Sequence, residues 1–230
     1  MFEYSDAKKH VVMRKEQLSA GDFSIWLRRT RRALRNDAGS DVPCAGCTAC
    51  CRSSLFIPVR PGETAAKQHI PAKYLFPAPG LPKGSMLLGY FESGSCPMVV
   101  DARCSIYDNR PLTCRGFDCR VLAATGVDAH AGEALPDIAR QAMRWHFTYA
   151  GQLGRKRHAA VREAARFIRE HCADISGIGT HAHPLRIAVA AVKAYRVFMR
   201  LFDRPQSGVR DAPLRVTLKK VARELSLFAD

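Results

Sequence analysis

Apolar side chains recur at helical spacing in several stretches of the chain and alternate with polar ones in a few short runs. The first helical stretch covers residues 22–36. Asp22 is placed to cap its start, and Phe23, Ile25, Trp26, Ala33 and Leu34 gather partly on one face. The other face is mostly arginine. Turn formers between Asp37 and Pro43 end the pattern. Beyond Asp128 the helical period returns over 136–153 and 159–172, with Gly151 and Gly154 interrupting between them. It returns again over about 184–202 and 213–228, two stretches that Asp203, Pro205 and Gly208 help to separate.

The middle of the chain reads differently. Prolines and glycines crowd the segment between Cys51 and Cys96, notably Pro77, Pro79, Gly80 and Pro82, so no long regular element runs through it. A short strand is predicted over 86–91. Residues 97–100, 101–103 and 104–107 read as strand, turn and strand, a small hairpin with a cysteine near each end. The predicted fold class is α+β, mainly α: a loop-rich cysteine region with a small hairpin, followed by a bundle of about four helices. The expected organisation is a basic helical arm over 1–37, a metal-binding cysteine domain over 38–125 and a helical domain over 126–230. No internal repeat is evident.

Composition narrows the classes. With 230 residues, 47% of them hydrophobic and 25% charged, the chain buries a real core and is not disordered throughout. It therefore needs neither metal nor disulfides merely to fold. No stretch supplies the roughly 20 apolar residues of a membrane span. The best candidate, 187–199, is broken by Lys193 and Arg196. The first residues, Met1 to Asp6, lack the basic start and apolar run of a secretory signal, so a cytoplasmic location is expected, where thiols stay reduced. The formal net charge is +15 before any metal-bound thiolates are counted. Basic residues concentrate at Arg28, Arg29, Arg31, Arg32 and Arg35 and at Arg155, Lys156 and Arg157. Such clusters meet nucleic acid, an acidic protein or a membrane surface. A solvated helix face is the simpler reading and is preferred.

The candidate chemistry lies in the cysteines. Eight of the nine stand at positions 44, 47, 50, 51, 96, 104, 114 and 119. A Cys-x-x-Cys turn brings two sulfurs to one ion while backbone N–H groups face the thiolates, and Gly46 suits such a turn. The repeated step Cys44, Cys47, Cys50 is the three-ligand spacing with which bacterial ferredoxins hold a 4Fe-4S cluster, whereas zinc sites more often use two separated pairs. The fourth ferredoxin ligand precedes a proline, and Cys96 before Pro97 offers that dipeptide from a distance. Adjacent residues point in different directions, so one of Cys50 and Cys51 can ligate with Cys44 and Cys47 while the other serves a second site. Eight thiols could hold two four-sulfur centres or one centre with spectators.

The ordered set Cys44, Cys47, Cys50 and Cys51, then Cys96-Pro97, then Cys104 to Tyr107, Arg110-Pro111 and Cys114-Arg115 resembles the YkgJ-type cysteine-cluster family. The resemblance covers about 44–119. It implies a zinc- or iron-chelating module, sometimes described as an iron-sulfur oxidoreductase and also found in a lysine N-methylase acting on flagellin. Family members commonly have Asp-Gly in the hairpin turn, where this chain has Asp101-Ala102-Arg103. The candidate metal ligands are thus Cys44, Cys47, Cys50, Cys51, Cys96, Cys104, Cys114 and Cys119. Arg110 and Arg115 are candidate cofactor-binding groups that offset cluster charge and donate to sulfur. Tyr107 reads as a core residue.

The preferred function is a protein holding one or two iron-sulfur centres, of 4Fe-4S type, for electron transfer or redox sensing, with an unidentified redox or protein partner. The alternative is a structural zinc module whose basic helices meet RNA or a protein. An enzyme, either an oxidoreductase or a protein methyltransferase, rests on analogy alone: no nucleotide-binding glycine motif, P-loop or Ser/His/Asp arrangement is present, and the Cys-x3-Cys-x2-Cys spacing of radical chemistry is absent. Cys172 reads as a small, buried helix-end side chain, and His181 with His183 as part of a polar loop.

Overall fold

The computed structural model describes residues 17–36, 38–40, 42–44, 46–128, 136–180, 182–202 and 214–228. Strand β1 (Leu18–Asp22) leads directly into helix α1 (Phe23–Asn36). The expected cap is present: Asp22 Oδ1 accepts from the Ile25 N–H at 3.0 Å, while Oδ2 accepts from the Ala150 N–H at 2.9 Å. One carboxylate thereby starts a helix and anchors a strand end far along the chain. Phe23, Trp26 and Leu27 are buried.

The cysteine region follows, with short elements: β2 (Ile57–Val59), α2 (Thr64–His69), β3 (Leu75–Pro77), β4 (Met86–Leu88), β5 (Val99–Val100), β6 (Arg103–Cys104), α3 (Leu112–Gly116) and α4 (Arg120–Thr125). Strand β4 lies between β2 and β3, antiparallel to both. The predicted hairpin is β5 paired with β6, Val99 opposite Cys104 and Val100 opposite Arg103. Its two-residue loop has φ of 46° at Asp101 and 57° at Ala102. Two positive φ values in succession are what a type I′ turn demands, and alanine tolerates them less well than glycine.

The last part holds α5 (Pro136–Ala142), β7 (Trp145–Thr148), α6 (Gln152–Glu170), α7 (Pro184–Phe202) and α8 (Leu214–Ser226). The sequence predicts a helix over 136–153, and here the structure differs. Helix α5 stops at Ala142, and Leu153 belongs to α6. Between them β7 pairs in parallel with β1, Leu18 opposite Trp145 and Asp22 opposite Thr148. Trp145 and Phe147 alternate with exposed His146 and Thr148, so a period of two governs this aromatic, β-prone run.

Helices α6 and α7 pack along one another through small residues, among them Ala160, Ala164, Ala191 and Ala194, with Ile168 and Phe198 filling the space around them. The predicted stretches over 184–202 and 213–228 correspond to α7 and α8; the separating segment at 203–208 lies outside the described residues. A second core joins α1, α4, α5, β7 and the inner faces of α6 and α7. A third, small apolar cluster lies beneath the cysteine loops and includes Val59, Ile70, Leu88, Met98 and Ile106. Among the described residues, no helix is long and apolar enough to cross a membrane.

Candidate metal centre

All nine cysteines are free thiols. Cys44 and Cys47 face each other across the Gly46 turn: the Cys47 N–H donates to the Cys44 carbonyl at 2.9 Å, and Gly46 has φ of 74°, which glycine adopts without strain. Cys50 and Cys51 sit on a single turn of 3-10 helix, Cys50–Arg52, against which α5 packs. The Cys51 carbonyl accepts from the Cys96 N–H at 2.7 Å, and the Cys50 carbonyl accepts from the Tyr90 hydroxyl at 3.2 Å. Cys104 lies on β6, Cys114 on α3, and Cys119 immediately before α4.

Packing divides these thiols. Cys44, Cys50 and Cys119 belong with the core built around Trp26 and Trp145. Cys51, Cys96 and Cys104 belong with the small cluster under the loops. Adjacent Cys50 and Cys51 therefore turn to opposite cores. The largest mutual electrostatic contributions follow the same division, while Cys44 and Cys47 also act on Cys51, and Cys51 acts on Cys50. Burial pushes the Cys50 thiol up strongly, and the neighbouring thiol that adds most is Cys119, followed by Cys44 and Cys47. Burial pushes Cys51 up to about 12, with Cys96 and Cys104 the largest contributors among thiols, followed by Cys47 and Cys44. Cys114 is likewise raised by burial to about 12, then by Cys51, Cys96 and Cys104. Cys119 reaches about 12 through burial, opposed by the Trp145 indole and reinforced by Asp118, Cys44 and Cys47. Packing thus sets Cys44, Cys50 and Cys119 in one group and Cys51, Cys96 and Cys104 in another. Cys47 acts on Cys50 and Cys119 of the first and also on Cys51, and Cys114 is acted on by Cys51, Cys96 and Cys104 of the second. The Cys96-Pro97 dipeptide thus falls in the second group, and Cys119 stands where the ferredoxin-like spacing offered Cys96.

A buried thiol with a raised pKa stays protonated, and a cation favours the thiolate, so these sets suit a metal that displaces protons on binding. The donors are all sulfur, which matches zinc or iron with sulfide. Among the described residues, no three Cys, His, Asp or Glu side chains are grouped as they stand so that they could hold a metal ion. Ligation therefore requires the thiols of each group to close further.

Residues 43–129 match the model of the CxxCxxCC family, whose description is "Putative zinc- or iron-chelating domain". This segment is similar to the cysteine-cluster domain that the family describes. The match covers less than half of the chain and includes every cysteine except Cys172. No curated protein and no solved structure matches the chain.

Around the cysteine-cluster domain stand several polar groups. The Arg110 guanidinium lies 3.6 Å from the Tyr107 ring centroid, and its Nε donates to the Tyr107 carbonyl at 2.7 Å. Its charge and a hydrogen bond oppose the rise that burial imposes on Cys44, and its charge also reaches Cys114. Arg110 thereby acts on a thiol of each group, by hydrogen bond and charge on Cys44 and by charge on Cys114, while Tyr107 serves as its platform. Arg115 is exposed, and its Nε donates to the Arg110 carbonyl at 2.9 Å, so it supports Arg110 from behind.

Other contributors carry no spacing signal in the sequence. The Trp145 indole N–H donates to Cys119 Sγ at 3.1 Å. Buried Asp118 accepts from the Trp26 indole N–H and the Ser40 hydroxyl, each at 3.0 Å, and pairs with Arg120 Nη2 at 2.8 Å. The residue before Cys119 is thus locked on several sides.

A cavity of about 830 Å3 opens beside the first group, lined by Cys47, Thr48, Arg52, Arg140, Arg144 and Trp145 among others. The remaining candidates lie elsewhere. Cys172 is half-buried, and its Sγ donates to the Thr180 carbonyl at 3.3 Å. His183 accepts from the Leu185 N–H at 3.3 Å at the start of α7, and His181 lies outside the described residues.

Proposed function

We propose that the chain holds two four-cysteine centres, iron-sulfur in kind, and uses them to pass electrons or to sense redox state in the reducing cytoplasm. The observation that carries this reading is the division of eight thiols into two groups that pivot on Cys50 and Cys51. Cys44, Cys47, Cys50 and Cys119 would hold one centre; Cys51, Cys96, Cys104 and Cys114 would hold the other.

Several features favour iron with sulfide. The first group contains the ferredoxin-like step of two and two, and histidine is missing from both groups. Ligands contributed by neighbouring residues put the centres close to one another, which suits electron passage between them. Trp145 donating to Cys119 and Arg110 beside Cys44 supply the hydrogen bonding and positive charge that tune a thiolate-bound cluster. The cavity at Cys47 gives a redox partner or small oxidant a way to the edge of the first centre.

A structural zinc role for the second group has its own support. Cys51, Cys96 and Cys104 pack on a small apolar cluster joined by strands of two or three residues, a region that a closed four-sulfur site would staple. Purification without oxygen, followed by an absorption spectrum and analysis for iron, acid-labile sulfide and zinc, tests the choice. Iron and sulfide in comparable amounts with a brown chromophore are expected. A colourless protein containing zinc alone would assign both centres to the structural role.

A further inference from the structure

Arginines from three helices that are distant in sequence meet around a separate cavity of about 400 Å3. Helix α1 supplies Arg28, Arg31, Arg32 and Arg35, α6 supplies Arg157, and α7 supplies Arg196. Ser24, Leu27 and Tyr195 complete the lining, and no carboxylate takes part in it. A solvated basic face would spread its charges outward along one helix. Here the fold gathers them around a concavity.

Arg31 shows how firmly this wall is set. Its side chain is buried; Nη1 donates to the Val192 carbonyl at 2.8 Å and to the Lys193 carbonyl, and the guanidinium lies 5.0 Å from the Tyr195 ring centroid. Glu224 Oε2 stands 3.9 Å from Nη2, a loose ion pair. Among the described residues, none of Arg28, Arg32, Arg35, Arg157 and Arg196 forms an ion pair with a carboxylate, although the charge of Arg157 reaches Asp22. Burial, and then the charges of Arg196 and Arg35, hold the Arg31 guanidinium down to about 10 against the pull of Tyr195 and Glu224. Like charges are crowded in the free protein, and a bound anion would relieve that repulsion.

We propose that this cavity binds the oligophosphate chain of a small molecule, either a nucleoside triphosphate or an inorganic polyphosphate. Guanidinium forks match phosphate oxygens two at a time, and a ligand must carry several charges to answer so many of them. The volume lies within the range of roughly 300–1,000 Å3 typical of small-molecule sites. Single-stranded nucleic acid fits less well, since such binders offer aromatic faces for stacking and Tyr195 already has Arg31 over its ring. No cysteine lines the cavity, so the proposal stands whichever metal the cysteine domain takes.

Calorimetric titration of the full, metal-loaded chain at physiological salt tests it, with tripolyphosphate, ATP, orthophosphate and a single-stranded RNA oligonucleotide as probes. Tripolyphosphate and ATP should bind, with orthophosphate at least about tenfold weaker. Equal affinity for the first two would identify the phosphate chain as the ligand, and tighter ATP binding would add a nucleoside contact. The exposed pair Arg32→Glu and Arg196→Glu should weaken tripolyphosphate by about tenfold or more, while Lys83→Glu, an exposed charge change outside the cavity, should alter it less than about twofold. Circular dichroism of each variant confirms that the helices remain. Absence of binding, equal loss from Lys83→Glu, or RNA binding tighter than tripolyphosphate would overturn the proposal.

Discussion

The cysteine region and the helical region solve the problem of stability in different ways. Helices α6 and α7 meet through closely packed alanines, with Ile168 and Phe198 wholly buried between them, and no chemistry is needed to hold them. The cysteine region has strands of two or three residues, a small apolar cluster and a set of buried and half-buried thiols. It leans on individual polar contacts, such as Glu63, which accepts from the backbone N–H groups of Arg60 and Leu112, and Asp118, which accepts from one indole, one hydroxyl and one arginine. Packing by many apolar contacts and a framework of few polar contacts should therefore fail in different ways, the second taking the cysteines with it.

Substitutions on each side should separate the two modes. Asp118→Ala removes the acceptor of Trp26 and Ser40 and breaks the buried ion pair with Arg120, at a cost of about 3–5 kcal/mol. Because Cys119 follows directly, metal content should fall along with stability. Denaturant unfolding and elemental analysis on one preparation measure both. Phe198→Ala should cost a similar amount, about 3–5 kcal/mol, through the cavity it opens in the helical core. Its folded fraction should nevertheless retain full metal content, which would mark the two regions as energetically distinct.

Smaller changes sharpen the comparison. Ala102→Gly relieves a positive φ in the β5–β6 turn and should stabilise the chain by roughly 0.5–1 kcal/mol, read as a rise in melting temperature. Trp145→Phe keeps most of the buried ring but removes the donor to Cys119 Sγ. It should cost about 1 kcal/mol and shift the absorption or potential of the first centre while leaving metal content unchanged.

Most of the framework was legible in the residues because local signals and tertiary packing agreed. Asp22 before an apolar run marks a helix start, and the long stretch over 184–202 keeps one apolar face from end to end. The hairpin was visible in its turn, and the altered Asp101-Ala102 pair was visible as a weakness. Strand β7 was not legible. Its partner β1 lies more than a hundred residues earlier, and Trp145 and Phe147 fit a helical stripe as readily as an alternating one until that partner is known.

The site followed the same rule. The eight cysteines announced themselves by spacing, and Arg110 by its place in the family pattern. Their division into groups was hidden, because it depends on two adjacent residues facing different cores. Nor does any spacing connect Trp145 to Cys119 or gather Arg157 and Arg196 beside α1.

Metal stoichiometry in Cys50→Ala and Cys51→Ala most directly tests the two-centre reading, whatever the metal. Each substitution should remove about half of the metal bound by the unsubstituted chain, and the double substitution should remove nearly all of it. If either single substitution empties the protein, or if the double loses no more than one single does, the thiols form one centre and the division at Cys50 and Cys51 is wrong.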